Sequence, residues 1–151
     1  MNGGRGITLP IWVECYTNFN ASAISEAGLD VDDVFFRGLA YRVTWMLRWH
    51  PKQKVVTWKY DRADDSGRPT DWQLSVFKAF GEVNDLMRNR EILPKEKGVI
   101  YRSDGKRVLW AFHNFTLPLE GHTPVRDLLA GTTTDTESAL AAKKHRVYII
   151  G

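Results

Sequence analysis

The sequence predicts an α+β fold in a single domain, with about six mainly antiparallel strands in one sheet and the helices packed on one face of it. Two observations lead to this prediction. Two pairs of strand-like segments are separated only by short turns, so each pair is expected to form a hairpin. Helical segments separate the hairpins, without the strand–helix–strand repeats of a parallel sheet. The 151 residues suffice for one core, and we assign residues 1–6 to a flexible N-terminal arm and residues 7–151 to the domain.

Alternation of apolar and polar residues, which is typical of half-buried strands, predicts the first three strands. It is present at residues 7–15 and is strictest at residues 41–49. A turn at residues 50–53 joins the second of these segments to residues 55–60, and the two form the first predicted hairpin. The alternation directs three indoles toward the core, those of Trp45, Trp49 and Trp58, although Trp49 is close enough to the turn to meet a base instead.

The second predicted hairpin joins residues 99–102 to residues 107–115. Between them, the Asp-Gly pair at residues 104–105 is typical of a two-residue type I′ turn, because both residue types tolerate positive φ. Residues 108–112 are apolar on both faces, as in a central strand that is covered from both sides. A last strand is predicted at residues 147–150.

Capping residues and helix-ending residues predict five helices. Asn20 and Asp30 are suitable N-caps, and Thr70 with Gln73 forms a capping box at the start of a helix of about five turns. Gly81 lies inside this long helix and is explained by close packing on the sheet or on a partner, of which we favour the sheet. The helices are predicted from Asn20 to Gly28, Asp30 to Gly38, Thr70 to Leu93, Thr123 to Gly131 and Thr134 to Lys144.

Positive charge is concentrated in the two predicted hairpins. Residues 41–62 carry six cations against one carboxylate, and residues 94–126 carry six against three, although the whole chain has a formal charge of only +3. Cations on the open face of a sheet attract phosphates, and an exposed aromatic ring can stack on a base. We therefore predict a nucleic-acid-binding surface formed by Arg42, Arg48, Lys52, Lys54, Lys59, Arg102, Lys106 and Arg107.

The same residues allow other interpretations. Arginine and tryptophan together are typical of hot spots in protein interfaces, which favours a small interaction module, such as an inhibitor or immunity-type protein, that binds an acidic protein. A third hypothesis is a small enzyme or ligand-binding domain with a pocket between sheet and helices, bordered by Glu14 and His113. In the simplest interpretation, the cations only keep the sheet soluble and the tryptophans belong to the core.

The sequence contains no signature of catalysis or metal binding, so we predict no cofactor and no metal, and an enzyme is the less favoured hypothesis. The four histidines are scattered and lack the spacing of a zinc site. Cys15 is interpreted as a small buried residue rather than a nucleophile. No apolar run approaches the roughly 18 residues of a membrane helix, and the start does not resemble a secretory signal, so we expect no membrane contact and a cytoplasmic location.

Overall fold

The computed structural model describes residues 16–17, 19–45, 47–58 and 67–151. The chain divides into two compact units, Met1–Leu74 and Ser75–Gly151. The predicted α+β class is confirmed, and so is a sheet of six mainly antiparallel strands. The predicted N-terminal arm and first strand lie outside the described residues, and the assignment of residues 7–151 to one domain stays a prediction.

The described residues form short elements throughout. In chain order these are β1 (Tyr16–Thr17), α1 (Ala21–Glu26), α2 (Val31–Ala40), β2 (Thr44–Trp45), β3 (Leu47–His50), β4 (Val55–Trp58), α3 (Asp71–Val83), β5 (Asn89–Ile92), β6 (Gly98–Ser103), β7 (Lys106–Ala111), β8 (Phe115–Pro118), β9 (Thr123–Asp127), β10 (Thr132–Thr136), β11 (Ala139–Ala142) and β12 (Arg146–Ile150). None of the described helices has the length and hydropathy needed to cross a bilayer.

All three predicted N-caps of the first unit are confirmed. The Asn20 side chain accepts a hydrogen bond from the Ala23 backbone N–H at 3.0 Å and caps α1, and Asp30 caps α2 in the same way. At the start of α3, Thr70 Oγ1 accepts from the Gln73 N–H while Gln73 Oε1 accepts from the Thr70 N–H. This reciprocal pair is the predicted capping box.

The strand predicted to begin at residue 41 begins three residues later. Tyr41 is the C-cap of α2, and Arg42 adopts a left-handed conformation with φ 67°. The Val43 N–H donates to the Gly38 carbonyl at 2.8 Å, and the Arg42 N–H donates to the Leu39 carbonyl at 2.9 Å. These two bonds form a Schellman motif, so Arg42 ends a helix and is not an outward-facing strand residue as predicted.

An aromatic cluster anchors the first hairpin within the first unit. The antiparallel pairing of β3 with β4 confirms this hairpin. The Trp58 ring lies 4.6 Å from that of Phe19 and 5.8 Å from that of Phe35. Trp45 lies 5.2 Å from Phe19, and its indole N–H donates to the Phe35 carbonyl. Two of the three indoles predicted to face the core therefore do so.

The predicted long helix is shorter than its periodicity suggested. The α-helix ends at Val83, a single 3₁₀ turn follows at Asn84–Leu86, and β5 then takes residues predicted to be helical. The apolar positions Val83 and Met87 are still fully buried, since the tighter turn keeps both toward the core of the second unit.

The second unit is built on a six-stranded sheet with the strand order β10-β9-β12-β7-β6-β5. The predicted second hairpin is β6–β7, and its two-residue turn has Asp104 at φ 53° and Gly105 at φ 76°, as a type I′ turn requires. The predicted terminal strand is β12, which lies between β7 and β9.

The central strand β7 is covered on both faces, as predicted. On one face, Trp110 contacts Phe80 of α3 with their ring centroids 6.3 Å apart. On the other face, Leu109 belongs to an apolar cluster that includes Leu119 and Leu140, contributed by the segment that contains the paired strands β8 and β11. The sheet therefore has a helix on one side and a two-stranded ribbon on the other.

The prediction of two helices between residues 123 and 144 is wrong, because this segment forms β9, β10 and β11. It is rich in threonine, whose branched Cβ favours strands. Gly131, interpreted as a helix end, has φ 67° and closes the turn between β9 and β10. In that turn the Asp127 carboxylate accepts from the Leu129 and Ala130 N–H groups. The residues that cap helices also make turns, which explains the error.

The close packing expected at Gly81 is absent, because no described atom would lie within 4 Å of a Cβ placed there. At Gly98, by contrast, a Cβ would overlap the Trp110 carbonyl oxygen of the adjacent strand. Gly98 therefore permits close approach of two backbones, whereas Gly81 leaves α3 less stable than alanine would.

These two glycines predict opposite effects of the same substitution. Gly81→Ala is expected to raise the free energy of unfolding by about 1 kcal/mol because alanine favours helix, and Gly98→Ala to lower it by about 1–3 kcal/mol because β6 must move away from β7. Urea unfolding followed by circular dichroism measures both values. Equal effects of the two substitutions would contradict the packing described for β6 and β7.

Candidate functional site

The first candidate surface is the outer half of the β3–β4 hairpin. The pairing register sets Leu47 opposite Trp58 and Trp49 opposite Val56, so these four side chains share one face. Trp58, at the anchored end, is only 2% exposed. Along β4 the exposure rises toward the turn, to 37% for Val56, and on β3 Leu47 and Trp49 are 40% and 56% exposed. On this face the hairpin is thus buried at Trp58 and exposed at the other three positions, one of which is an indole.

The prediction that Trp49 points into the core is wrong. The alternation correctly puts Trp49 on the same face as Trp58. However, the aromatic contacts of that face involve Trp58, and Trp49 and Leu47 (40% exposed) remain largely in contact with solvent. Alternation specifies a face but not whether that face is covered along its whole length.

Three cations lie close to the exposed indole along the chain, with Arg48 on the opposite face of β3. Arg48 precedes Trp49, and Lys52 and Lys54 lie in the turn, where all three side chains are exposed. Residues 47–58 contain no aspartate or glutamate. Of the carboxylates that the structure describes, none forms an ion pair with these three side chains. Among the residues that the structure describes, the positive charge of the exposed hairpin end is therefore not compensated.

The opposite face of the hairpin is held by a polar contact. His50 Nε2 lies 2.7 Å from Thr57 Oγ1, and the Thr57 hydroxyl donates to the Trp58 carbonyl at 3.0 Å. Because the single hydroxyl proton is used in that second bond, His50 Nε2 must be the donor in the first. This contact joins the two strands next to the turn and fixes the hairpin that carries Trp49.

The second candidate surface is a cleft of about 630 Å³ in the second unit. Its lining includes three of the predicted cations, Arg102, Lys106 and Arg107. It also includes residues that the sequence did not single out, among them Asn89, Pro118, Leu119 and Glu120. This surface is called the turn cleft, because the β6–β7 turn forms one of its walls.

Two arginines of the turn cleft lie directly opposite each other on β6 and β7. Arg102 is paired with Arg107 in the register of the hairpin. The Arg102 guanidinium also donates to Glu91 of β5, with Nη2 2.8 Å and Nε 3.3 Å from the same carboxylate oxygen. Arg102 is therefore an ion-paired residue, unlike the solvated cation that the prediction assumed.

The remaining predicted site residues have different outcomes. Lys59, Glu14 and Cys15 lie outside the described residues. Arg42 is half-buried at the end of α2, away from any strand position. His113 is exposed just after β7. That the cations of both hairpins form one continuous surface stays a prediction.

Other chemistry is not indicated by the described residues. Within 16–17, 19–45, 47–58 and 67–151, no group of three or more histidine, cysteine, aspartate or glutamate side chains is arranged to hold a metal ion. Burial raises the pKa of the Tyr148 phenol. The Tyr148 hydroxyl accepts from the Lys143 N–H at 3.0 Å, a structural contact that ties β12 to the preceding turn.

Known proteins supply no function to transfer. Models of protein families, curated proteins and solved structures were each compared with the chain, and none of them matches it.

The exposure of Trp49 predicts how the protein's fluorescence is quenched. Iodide is expected to quench Trp49 strongly, because the indole is accessible and the nearby cations attract the anion. Trp49→Phe should remove most of the iodide-sensitive emission, whereas Trp45→Phe, which alters a half-buried indole, should remove less. Stern–Volmer slopes measured with iodide and with neutral acrylamide test this. An iodide slope unchanged by Trp49→Phe would contradict the exposure of this side chain.

Proposed function

We propose that the exposed end of the β3–β4 hairpin binds single-stranded nucleic acid. Trp49 stacks on a base, and Lys52 and Lys54 of the turn and Arg48 on the opposite face of β3 contact phosphates of the same strand. The observation that carries this proposal is the 56% exposure of the Trp49 indole on a hairpin end with three cations and no carboxylate. The protein would thus act as a nucleic-acid-binding accessory protein.

Stacking favours single strands over duplexes. Every base has a π face, so one exposed indole can accept any base, and such a contact contributes about 1–3 kcal/mol. The bases of a duplex are already stacked on each other and present only their edges in the grooves. Trp49 therefore adds affinity for single strands without strong sequence preference.

The cations supply the remaining affinity and make it depend on salt. Each phosphate neutralised on a single strand lowers the slope of log K against log salt by about 0.7. If Arg48, Lys52 and Lys54 each contact one phosphate, the three together contribute a slope of about −2. Replacing only these three residues should therefore remove this part of the salt dependence.

The backbone at Lys54 supports a role for its charge. Lys54 has φ 52°, a left-handed conformation that costs a non-glycine residue about 1–2 kcal/mol. Glycine would adopt this conformation without strain. A lysine at such a position contributes a cation to the hairpin end at the expense of backbone stability, which fits a surface that binds polyanions.

Fluorescence anisotropy with a labelled oligothymidylate of about 15 nucleotides tests the proposal. Trp49→Ala is expected to weaken binding about tenfold, and Trp49→Phe by less because the phenyl ring still stacks. The triple variant Arg48→Gln, Lys52→Gln, Lys54→Gln should reduce the salt slope by about 2. The corresponding duplex should bind wild-type protein more weakly than the single strand does.

The matched control uses the left-handed residue. Lys54→Gly is expected to weaken binding while leaving the free energy of unfolding unchanged or raising it by about 1 kcal/mol, because glycine relieves the strained φ. A loss of binding in this variant cannot be attributed to unfolding. No binding by wild-type protein at low salt, or equal binding by wild type and Trp49→Ala, would overturn the proposal.

A second candidate function is supported by the apolar neighbours of Trp49. Leu47, Trp49 and Val56 are all exposed on one face, and such a cluster beside arginine is typical of a hot spot that binds a protein, here an acidic one. Val56→Thr separates the two functions. A base stacked on Trp49 does not need Val56, so unchanged oligonucleotide binding favours nucleic acid, whereas a protein partner would lose affinity.

A further inference from the structure

We infer that the turn cleft of the second unit binds a phosphorylated, hydroxylated small molecule of the sugar phosphate class, with the phosphate held between Arg102 and Arg107. These residues are separate from Arg48, Trp49 and Lys54, so this inference does not depend on the proposed function of the hairpin. The sequence assigned the two arginines to a nucleic-acid surface, and the shape and charge of the cleft point to a smaller ligand.

Arg102 and Arg107 are neighbours across the β6–β7 hairpin. The two-residue turn at Asp104 and Gly105 is closed by the pair Ser103 and Lys106, so Arg102 and Arg107 form the next pair. In antiparallel strands this is a pair without mutual backbone hydrogen bonds, and its side chains lie closest together. Like charges in such a position destabilise a sheet. An anion between the two guanidinium groups removes that repulsion.

Among the described residues, a carboxylate pairs with only one of these two arginines. Both donors that Arg102 directs at Glu91 bind the same carboxylate oxygen. Arg107, which is half-buried, forms no ion pair with a carboxylate in the part of the chain that the structure describes. A guanidinium presents planar donors that match the oxygens of a phosphate. Arg107 is therefore the principal phosphate ligand, and Arg102 assists it.

The turn cleft is larger than a phosphate needs. The cleft measures about 630 Å³, which is within the range of about 300–1,000 Å³ for sites of drug-sized ligands. A bare phosphate fills a small part of this volume. Pro118 and Leu119 supply an apolar wall, so the rest of the ligand has a carbon skeleton to place against them.

The turn cleft is lined by carboxylates as well as by cations. Asp104 and Glu120 also line the cleft, and carboxylates repel a polyanionic strand. They accept hydrogen bonds from hydroxyl groups, as does the side chain of Asn89, whose Nδ2 is already used by the Arg102 carbonyl. Hydroxyls on one side and a phosphate on the other describe a sugar phosphate.

Isothermal titration calorimetry of the full chain with ribose 5-phosphate tests this inference. Saturable binding is expected, with inorganic phosphate and ribose each binding at least tenfold more weakly, because each lacks half of the contacts. Arg107→Gln should weaken ribose 5-phosphate about tenfold or more. Arg107→Lys keeps the charge but loses the planar donors, so it should weaken binding by a smaller factor even if the glutamine variant folds poorly.

The controls separate the two surfaces. Arg48→Gln makes the same chemical change on the hairpin and should leave ribose 5-phosphate binding unchanged, and Arg107→Gln should leave oligonucleotide binding unchanged. Glu120→Gln should reduce the preference for ribose 5-phosphate over inorganic phosphate. Oligonucleotide binding that is lost equally in both arginine variants would assign the cleft to the nucleic-acid surface and overturn the inference.

Three further results would overturn it. The first is no saturable binding of ribose 5-phosphate by wild-type protein up to about 10 mM at low salt. The second is equal affinity of wild type and Arg107→Gln, with both folded by circular dichroism. The third is an affinity for inorganic phosphate as high as that for ribose 5-phosphate, which would remove the role of Asp104, Glu120 and the apolar wall.

Discussion

The register of the β6–β7 hairpin is the constraint on which the second unit depends. The turn at Asp104 and Gly105 admits only residues that tolerate positive φ at both positions, and it therefore fixes which residues of the two strands face each other. A slip by one residue would exchange the faces of the sheet. Trp110 would then leave Phe80, and Leu109 would leave the cluster that it forms with Leu140. The same register sets Arg102 opposite Arg107, so the core and the turn cleft have one common cause.

The β3–β4 hairpin shows a different relation between packing and function. Trp58 of β4 packs against Phe19 and Phe35, whereas Leu47 and Trp49 of β3 are exposed. A rigid anchored base and a solvated end together present a large aromatic side chain in a defined orientation. Binding surfaces benefit from such preorganisation, because less conformational entropy is lost when a ligand binds. Trp49, which is too exposed to contribute to the core, is therefore available to contact a ligand.

The elements that the sequence predicted correctly are those determined by local chemistry. Asn20, Asp30 and Thr70 were identified as caps because each satisfies backbone donors within three residues of itself. The Asp-Gly turn was identified for the same kind of reason. The segment from residue 123 to 144 was mispredicted because proline, glycine and threonine have equivalent local roles in helix ends and in strand turns. Only its pairing with β12 and with β8 decides between them.

The candidate sites were predictable to a similar degree. Clustering of cations on two hairpins follows from the sequence, and Arg48, Lys52 and Lys54 are exposed as expected. The position of Trp49 next to the turn left its exposure open, because alternation gives no information on where a neighbouring element stops. The pairing of Arg102 with Glu91 requires residues 89–92 to be a strand beside β6, whereas the helical periodicity before them predicted a helix. In both cases the local sequence does not show which distant segments of the chain pack together.

The position of β5 at the edge of the six-stranded sheet has a consequence for the behaviour of the protein at high concentration. An edge strand exposes unpaired backbone donors and acceptors, which can template the addition of another chain. In β5, Arg90 and Glu91 are adjacent in sequence, and the Glu91 carboxylate forms an ion pair with Arg102 of β6. Another chain that added to this edge would have to desolvate both charged groups. The carboxylate that moderates the arginine pair thus also belongs to the charged groups that disfavour edge-to-edge association of this sheet.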